Sequence, residues 1–147
     1  MKYLYLTSLL LCLFPMRVPA TEVERLDIIL KNASKTYDVP YRLLVAVGIV
    51  ESRLNPQALN ASDGGSASYG AFQLKMNTAR MLGFHGTKQN LMDFHTNTKY
   101  AAMYLSYQLK RYHGSWMKAA RAFNQGSYDG LFWSDYNQRI VYALATL

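Results

Sequence analysis

The chain has 147 residues, a formal net charge of +7, 50% hydrophobic residues and a single cysteine. This length favours one domain, and the apolar fraction together with twelve tyrosines excludes a disordered tail. No apolar run approaches the roughly 20 residues that a transmembrane helix needs. We therefore expect one compact domain with a short segment in front of it.

Residues 1–20 have the layout of a secretory signal peptide. Lys2 gives a basic start, residues 4–14 form an apolar core, and Val18-Pro19-Ala20 offers small residues before a cut. The alternatives are an uncleaved anchor or a first helix inserted in the domain. Cys12 lacks the small neighbour of a lipidation site, so we interpret it as part of the leader.

Cleavage after Ala20 would leave residues 21–147 as a cysteine-free domain without a membrane anchor. Lys2 and Arg17 would leave with the leader, so the formal charge would fall from +7 to +5. A basic exported protein suits an anionic partner such as a cell wall, although plain solubility explains the charge equally well. We expect a protein of the periplasm or cell envelope, or a secreted one.

The first part of this domain predicts two helices. Thr21 and Glu24 have capping-box spacing, and apolar residues follow them at helical intervals. Pro40 starts a second helix, which is apolar from Leu43 to Val50 and should be buried on most sides. This helix should end at Glu51-Ser52.

The rest of the chain predicts a polar loop and then further helices. Residues 55–68 are rich in Asn, Ser, Gly and Asp and predict a long surface loop, followed by a short strand or extended turn over 68–74. Cap residues and apolar spacing predict the later elements: a helix from Asn77 to Gly83, a helical turn at Asn90, a helix over 97–112, a helix from Ser115 to Asn124 and a final helix from Ser134. The fold class is mainly α, with five or six short helices and at most a minimal β element.

Glu51 is the most informative residue, because it follows the most apolar helix of the chain. A carboxyl group there should be partly desolvated, which raises its pKa and keeps it a proton donor near neutral pH. Cleavage of a glycosidic bond needs such a donor to protonate the leaving oxygen. The structural alternative is a buried Glu paired with an Arg, and Arg53 is close in sequence.

The sequence from Glu51 onward resembles the soluble lytic transglycosylase domain, a lysozyme-like family related to goose-type lysozyme. Four segments carry the resemblance in the family's order, and they extend it over about residues 38–144: Glu51-Ser52-Arg53-Leu54-Asn55-Pro56 with Tyr69-Gly70-Ala71-Phe72-Gln73-Leu74, Thr78-Ala79-Arg80-Met81-Leu82-Gly83, Leu91-Met92-Asp93 with Asn97 to Leu105, and Ala119 to Gly126 with the late Tyr136. The resemblance implies a lysozyme-like α+β domain over residues 21–147.

The resemblance also implies an activity and its residues. Glu51 would be the lone catalytic acid that cuts peptidoglycan between N-acetylmuramic acid and N-acetylglucosamine, and then the base that closes a 1,6-anhydro ring. No cofactor is implied. The substrate-binding positions would be Ser52, Gly70, Phe72, Gln73, Phe123, Asn124 and Tyr136. Structural explanations compete for several of them, namely a helix-end residue at Ser52, a turn glycine at Gly70, helix capping at Asn124 and packing at Tyr136.

The sequence departs from the family pattern in three places. Ala71 and Phe72 replace the usual aliphatic residue and Met, and Phe72 would still offer a flat surface to a sugar. Phe123 replaces a Tyr, and losing one hydrogen bond of about 1 kcal/mol would slow an enzyme without abolishing it. Phe132 stands where the family has an acidic residue, and Asp135 lies nearby at a different spacing.

Alternatives to this interpretation remain. Asp63 could hold a water for an inverting, lysozyme-like hydrolase. A weakly active wall-binding accessory could have kept the fold while losing efficiency. A short leader followed by one domain fits an accessory of a secretion or conjugation apparatus, and wall recycling or a phage origin fits almost as well.

Other classes of site have little support. His85, His95 and His113 lack metal-ligand spacing and are expected to be exposed, and no phosphate-binding glycine motif occurs. The basic residues are dispersed, which disfavours nucleic acid as a partner. Tyr100, Met103, Tyr104 and Tyr107 form a helical stripe that is more typical of a core than of a sugar platform.

Overall fold

The computed structural model describes residues 20–147, and the predicted signal peptide lies outside them apart from Ala20. Within this range the chain forms seven helices and a three-stranded antiparallel sheet of order β1-β2-β3, with these bounds: α1 Ala20–Tyr37, α2 Tyr41–Ser52, β1 Leu59–Asp63, β2 Ser66–Tyr69, β3 Leu74–Lys75, α3 Met76–Met81, α4 Lys88–Met92, α5 Phe94–Arg111, α6 Trp116–Gln125 and α7 Asp135–Thr146. The predicted class, mainly helical with a minimal sheet, is confirmed. None of the helices in this range is long and apolar enough to cross a membrane.

Helix α2 forms the centre of the core, as its apolar run predicts. Residues 43–48 are all buried, and the helix contacts both α1 and α7. A Cβ added to Gly48 would lie 2.2 Å from Leu54 and 3.0 Å from Phe72, so only glycine allows these side chains so close to the helix. The helix ends at Ser52, with Arg53 in the left-handed conformation that commonly terminates helices.

The predicted surface loop over residues 55–68 is wrong in part, because most of it forms a β-hairpin. Leu59 pairs with Tyr69 and Asp63 with Ser66, and Gly64 and Gly65 make the turn with positive φ. Strand β1 is polar and largely exposed, so it lacks the apolar alternation that identifies a strand in sequence. Its pairing depends on backbone hydrogen bonds and turn geometry.

Three helix starts also differ from prediction. Thr21 lies inside α1 and Asn77 lies inside α3, so neither residue is an N-cap. Helix α5 begins at Phe94, three residues before the predicted start, because the Asp93 side chain accepts a hydrogen bond from the N–H of Thr96. The helical turn predicted at Asn90 is the five-residue α4.

The later helices follow their predicted boundaries. Ser115 precedes α6, Gly126 ends it in the left-handed conformation, and Ser134 caps α7 by accepting from the N–H of Asn137. In the tyrosine stripe of α5, Tyr100 and Tyr104 are buried and Tyr107 is half exposed. The stripe is therefore mainly core, as predicted.

Candidate active site

Glu51 lies in the last turn of α2, where the buried helix reaches the surface. Its carboxyl group is partly buried, and its Oε1 atom accepts a hydrogen bond of 2.7 Å from the hydroxyl of Tyr136 in α7. Among residues 20–147 no basic side chain forms an ion pair with Glu51, and Arg53 is exposed. The pairing with Arg53 that sequence alone allowed is not formed.

Burial raises the pKa of the Glu51 carboxyl from an ordinary value of 4.5 to about 7. The hydrogen bond from Tyr136 and the positive charge of Arg139 act in the opposite direction, as does the amide of Asn124, while the negative charge of Asp63 raises the pKa further. The effect of desolvation on the pKa is larger than the combined effect of the groups that favour the carboxylate. Glu51 can therefore give up or accept a proton near neutral pH, as an acid–base catalyst must.

We expect Tyr136→Phe to raise the pKa of Glu51 by about one further unit, because the hydrogen bond that favours the carboxylate is lost. Titration of the Glu51 carboxyl carbon by NMR measures the shift. Tyr128→Phe is the matched control, since that hydroxyl donates to the carbonyl of Gly130 instead. An unchanged or lowered Glu51 pKa in Tyr136→Phe would contradict the assignment.

Glu51 borders two cavities. The sheet-side cavity has a volume of about 200 Å³, and its lining includes Asp63, Gln73, Lys75, Phe123 and Asn124. The helix-side cavity has a volume of about 700 Å³ between the ends of α2 and α7, and its lining includes Ser52, Arg53, Gln138, Arg139 and Tyr142. An elongated substrate could thus continue on both sides of the carboxyl group.

Phe123 and Asn124 reach the sheet-side cavity from the last turns of α6. The Phe123 ring packs against Tyr104 with centroids 5.4 Å apart, and both residues line this cavity although each is largely buried. Asn124 is exposed, and its amide favours the charged form of Glu51. The structure thus brings both predicted residues of α6 to the same cavity as Glu51.

Gln73 enters the sheet-side cavity from the turn between β2 and β3, with a φ of +49°. Its side-chain amide donates to the carbonyls of Gly70 and Ala58 at 2.9 and 3.2 Å. Within the described residues its amide oxygen accepts no hydrogen bond. That oxygen is available to a hydroxyl or N–H group of a ligand.

Ser52 lines the helix-side cavity, but its hydroxyl bonds the protein. It donates to the carbonyl of Ala71 at 2.6 Å and accepts from the N–H of Asn55 at 3.0 Å. These bonds join the end of α2 to the turn after β2. Ser52 therefore fixes the backbone around Glu51, in keeping with the structural alternative weighed for it.

Gly70 lies against Asn97 rather than against either cavity. Its φ is +74°, and a Cβ at this position would lie 2.6 Å from the Asn97 amide nitrogen. Asn97 is fully buried in α5 and bonds three backbone groups: it accepts from the N–H of Phe72 at 2.8 Å and donates to the carbonyls of Tyr69 and Leu91 at 2.9 and 2.8 Å. The glycine is thus needed for the turn that carries Gln73.

The prediction that Phe72 offers a flat surface to a sugar is wrong. Its side chain is fully buried in the core and lines neither cavity next to Glu51. The turn after β2 directs it inward against Gly48 of α2. Phe72 therefore supports the catalytic helix from behind and presents no surface to a ligand.

Sequence reasoning assigned no role to Lys75, Arg139 or Asn97. Lys75 lies 3.6 Å from the carboxylate of Asp63, and the Ser68 hydroxyl donates to that same carboxylate. Arg139 lies 5.6 Å from the centre of the Tyr136 ring, three residues further along α7. In the sequence, the spacing of three residues between Tyr136 and Arg139 indicates that both side chains lie on the same face of a helix.

The three histidines are exposed, as predicted. Across residues 20–147 no group of three His, Cys, Asp or Glu side chains is placed to hold a metal ion.

Two comparisons with known proteins show what the chain is similar to. The transglycosylase SLT domain matches residues 28–142, a segment that contains Glu51, Tyr136 and the sheet-side cavity. Protein IpgF of Shigella flexneri is 30% identical over 98 residues, which cover 65% of this chain and 64% of that relative. The match thus spans less than two thirds of the relative's length.

Proposed function

The chain belongs to the transglycosylase SLT domain family, and on that premise we propose that it is a peptidoglycan lytic transglycosylase with Glu51 as its single acid and base. The bond cleaved is the β-1,4 bond between N-acetylmuramic acid and N-acetylglucosamine. The observation that carries the proposal is a carboxyl group with a pKa of about 7 at the junction of two cavities. The proposed site of action is the cell envelope.

In the first step, protonated Glu51 donates its proton to the glycosidic oxygen as the bond to the N-acetylmuramic acid ring breaks. The acetamido oxygen of the same sugar assists departure, so the protein does not have to supply a nucleophile. Glu51 is left as a carboxylate, which the Tyr136 hydroxyl stabilises through its hydrogen bond. Asn124 favours the same charged form.

In the second step, the Glu51 carboxylate accepts the proton of the 6-hydroxyl group of N-acetylmuramic acid. The 6-oxygen attacks the anomeric carbon and displaces the acetamido oxygen that bonded to this carbon in the first step, so the 1,6-anhydro ring closes and the neutral acetamido group is restored. Glu51 returns to its protonated form. No water is consumed. A pKa near neutrality suits both steps, because one group must act first as an acid and then as a base.

Hydrolysis is the competing outcome, and Asp63 is the residue that could activate a water. Asp63 lines the sheet-side cavity together with Glu51. Its carboxylate, however, is ion-paired with Lys75 and accepts from the Ser68 hydroxyl. These interactions already engage the carboxylate and favour a charge that tunes Glu51 over a base that deprotonates water.

Asp63→Asn tests the proposal. A transglycosylase is expected to keep its rate within about threefold at pH 6, whereas a hydrolase would lose roughly 100-fold or more. The variant should also lower the pKa of Glu51, because a negative charge that raises it is removed. The rate of release of soluble fragments from sacculi, followed against pH, measures both effects.

Asp38→Asn is the matched control for that experiment. Asp38 is exposed, has a φ of +54° that Asn also tolerates, and lines neither cavity at Glu51. A severe loss of rate confined to Asp63→Asn would contradict transglycosylation and support a hydrolase. Recruitment by a secretion or conjugation apparatus stays a prediction.

A further inference from the structure

The helix-side cavity contains two arginines that form no ion pair among residues 20–147, although the charge of Arg139 acts on Glu51 at the edge of the cavity. Arg53 follows the last turn of α2 and Arg139 lies on α7, and both line the cavity next to Glu51. The ion pairs of the described residues involve other basic side chains. Two unpaired guanidinium groups in one concave site favour a negatively charged ligand.

The sheet-side cavity differs in charge. Its basic residue, Lys75, is paired with Asp63, so the two charges largely cancel there. The helix-side cavity is also more than three times larger, at about 700 Å³ against about 200 Å³. The unpaired positive charges and the larger volume both indicate that an anionic side arm of the substrate would bind in the helix-side cavity.

The chemistry of peptidoglycan limits what that anion can be. The sugar rings carry hydroxyl and acetamido groups, which are neutral. Carboxylates occur on the lactyl arm of N-acetylmuramic acid, either within an attached stem peptide or as the free lactyl acid where the peptide has been removed. A planar guanidinium group binds a carboxylate through two parallel hydrogen bonds.

We propose that Arg53 and Arg139 make the helix-side cavity a binding site for carboxylates on the lactyl arm of the substrate. The inference rests on the proposed function, since it concerns the same site. Gln138 and Tyr142 line the same cavity and are exposed, so they offer an amide and an aromatic ring to a peptide arm. The cavity would select glycan strands according to the carboxylates on the lactyl arms of their N-acetylmuramic acid.

The test compares three substrates: glycan strands with intact stem peptides, the same strands with stem carboxylates converted to amides, and strands stripped of peptides by an amidase. The wild-type protein is expected to show roughly tenfold higher kcat/KM on the intact strands than on the amidated ones. The preference should weaken at high salt, because the cavity is open to solvent. A rate on stripped strands close to that on intact strands means that the free lactyl carboxylate can replace the stem carboxylates as the ligand, and a low rate means that the stem carboxylates are required.

Substitutions assign the preference to the cavity. Arg53→Gln and Arg139→Gln should each bring the ratio of the two kcat/KM values towards one, and Arg139→Lys should restore part of it. Arg80→Gln is the matched control, because Arg80 is exposed on α3 and lines neither cavity. It removes the same charge and should leave the ratio unchanged.

Equal kcat/KM on all three substrates would overturn the proposal. An equal loss on both strands in the Gln variants would overturn it as well, since that result indicates a structural role. Failure of the proposed function has a different signature, namely no 1,6-anhydro product from any of the three substrates, and it would remove the basis of this inference too.

Discussion

Glu51→Gln is expected to lower turnover of peptidoglycan by about 10³-fold while binding to sacculi is retained. Gln cannot donate a proton to the leaving oxygen or accept one from the 6-hydroxyl group, so both proposed steps fail. Its amide still fills the space between the two cavities. Fragment release and a pull-down with sacculi measure the two properties separately.

The same substitution is expected to stabilise the fold at high pH. Burial raises the pKa of Glu51 from 4.5 to about 7, so the folded state binds the extra proton between these values. The free energy of unfolding therefore falls as the pH rises from about 4.5 to 7, and by pH 8 the full penalty of about 3 kcal/mol is present. Gln carries no charge and escapes this penalty.

Thermal unfolding at two pH values checks the predicted direction of this change in stability with pH. Glu51→Gln should melt roughly 10 °C above the wild type at pH 8 and close to it at pH 4.5. Glu24→Gln is the matched control, because Glu24 is exposed on α1 and should alter neither turnover nor melting. A pure binding module would show normal sacculus binding and no difference in turnover between Glu51→Gln and the wild type.

Asn97→Ala is expected to destabilise the protein by about 3–5 kcal/mol, which is a large share of the stability of a small domain. The side chain bonds the N–H of Phe72 and the carbonyls of Tyr69 and Leu91, and it is fully buried. Its loss would leave these backbone groups without partners in the core. Denaturant unfolding measures the change.

Asn32→Ala provides the control for this substitution, because Asn32 is exposed on α1 and makes no side-chain hydrogen bond within the described residues. It should change stability by less than about 1 kcal/mol. Gly70→Ala should resemble Asn97→Ala, since its Cβ would displace the same amide. A nearly neutral Asn97→Ala would contradict the role given to this network.

The helices were predictable where apolar spacing and end residues agree. Pro40 before α2, Gly126 after α6 and Ser134 before α7 mark ends that the structure confirms. The hairpin was not predictable, because β1 is exposed and polar and its pairing comes from the backbone. Phe72 was misassigned for a related reason: the sequence of an extended turn does not reveal which side faces the core.

The candidate site was predictable only in part. The apolar run before Glu51 indicates burial by itself, and the structure agrees. The hydrogen bond from Tyr136 spans 85 positions in sequence, and spacing alone gives no distance over that range. The resemblance to a family supplied that pair, whereas the roles of Arg139 and Lys75 became evident in the folded arrangement.

Mass spectrometry of the soluble fragments released from purified sacculi by the wild-type protein tests the central claim most directly. If Glu51 serves as both acid and base, the fragments will carry 1,6-anhydro ends and be lighter by one water than the products of hydrolysis. Fragments with reducing ends would contradict this account and would identify the protein as a hydrolase, with Asp63 as the next residue to test.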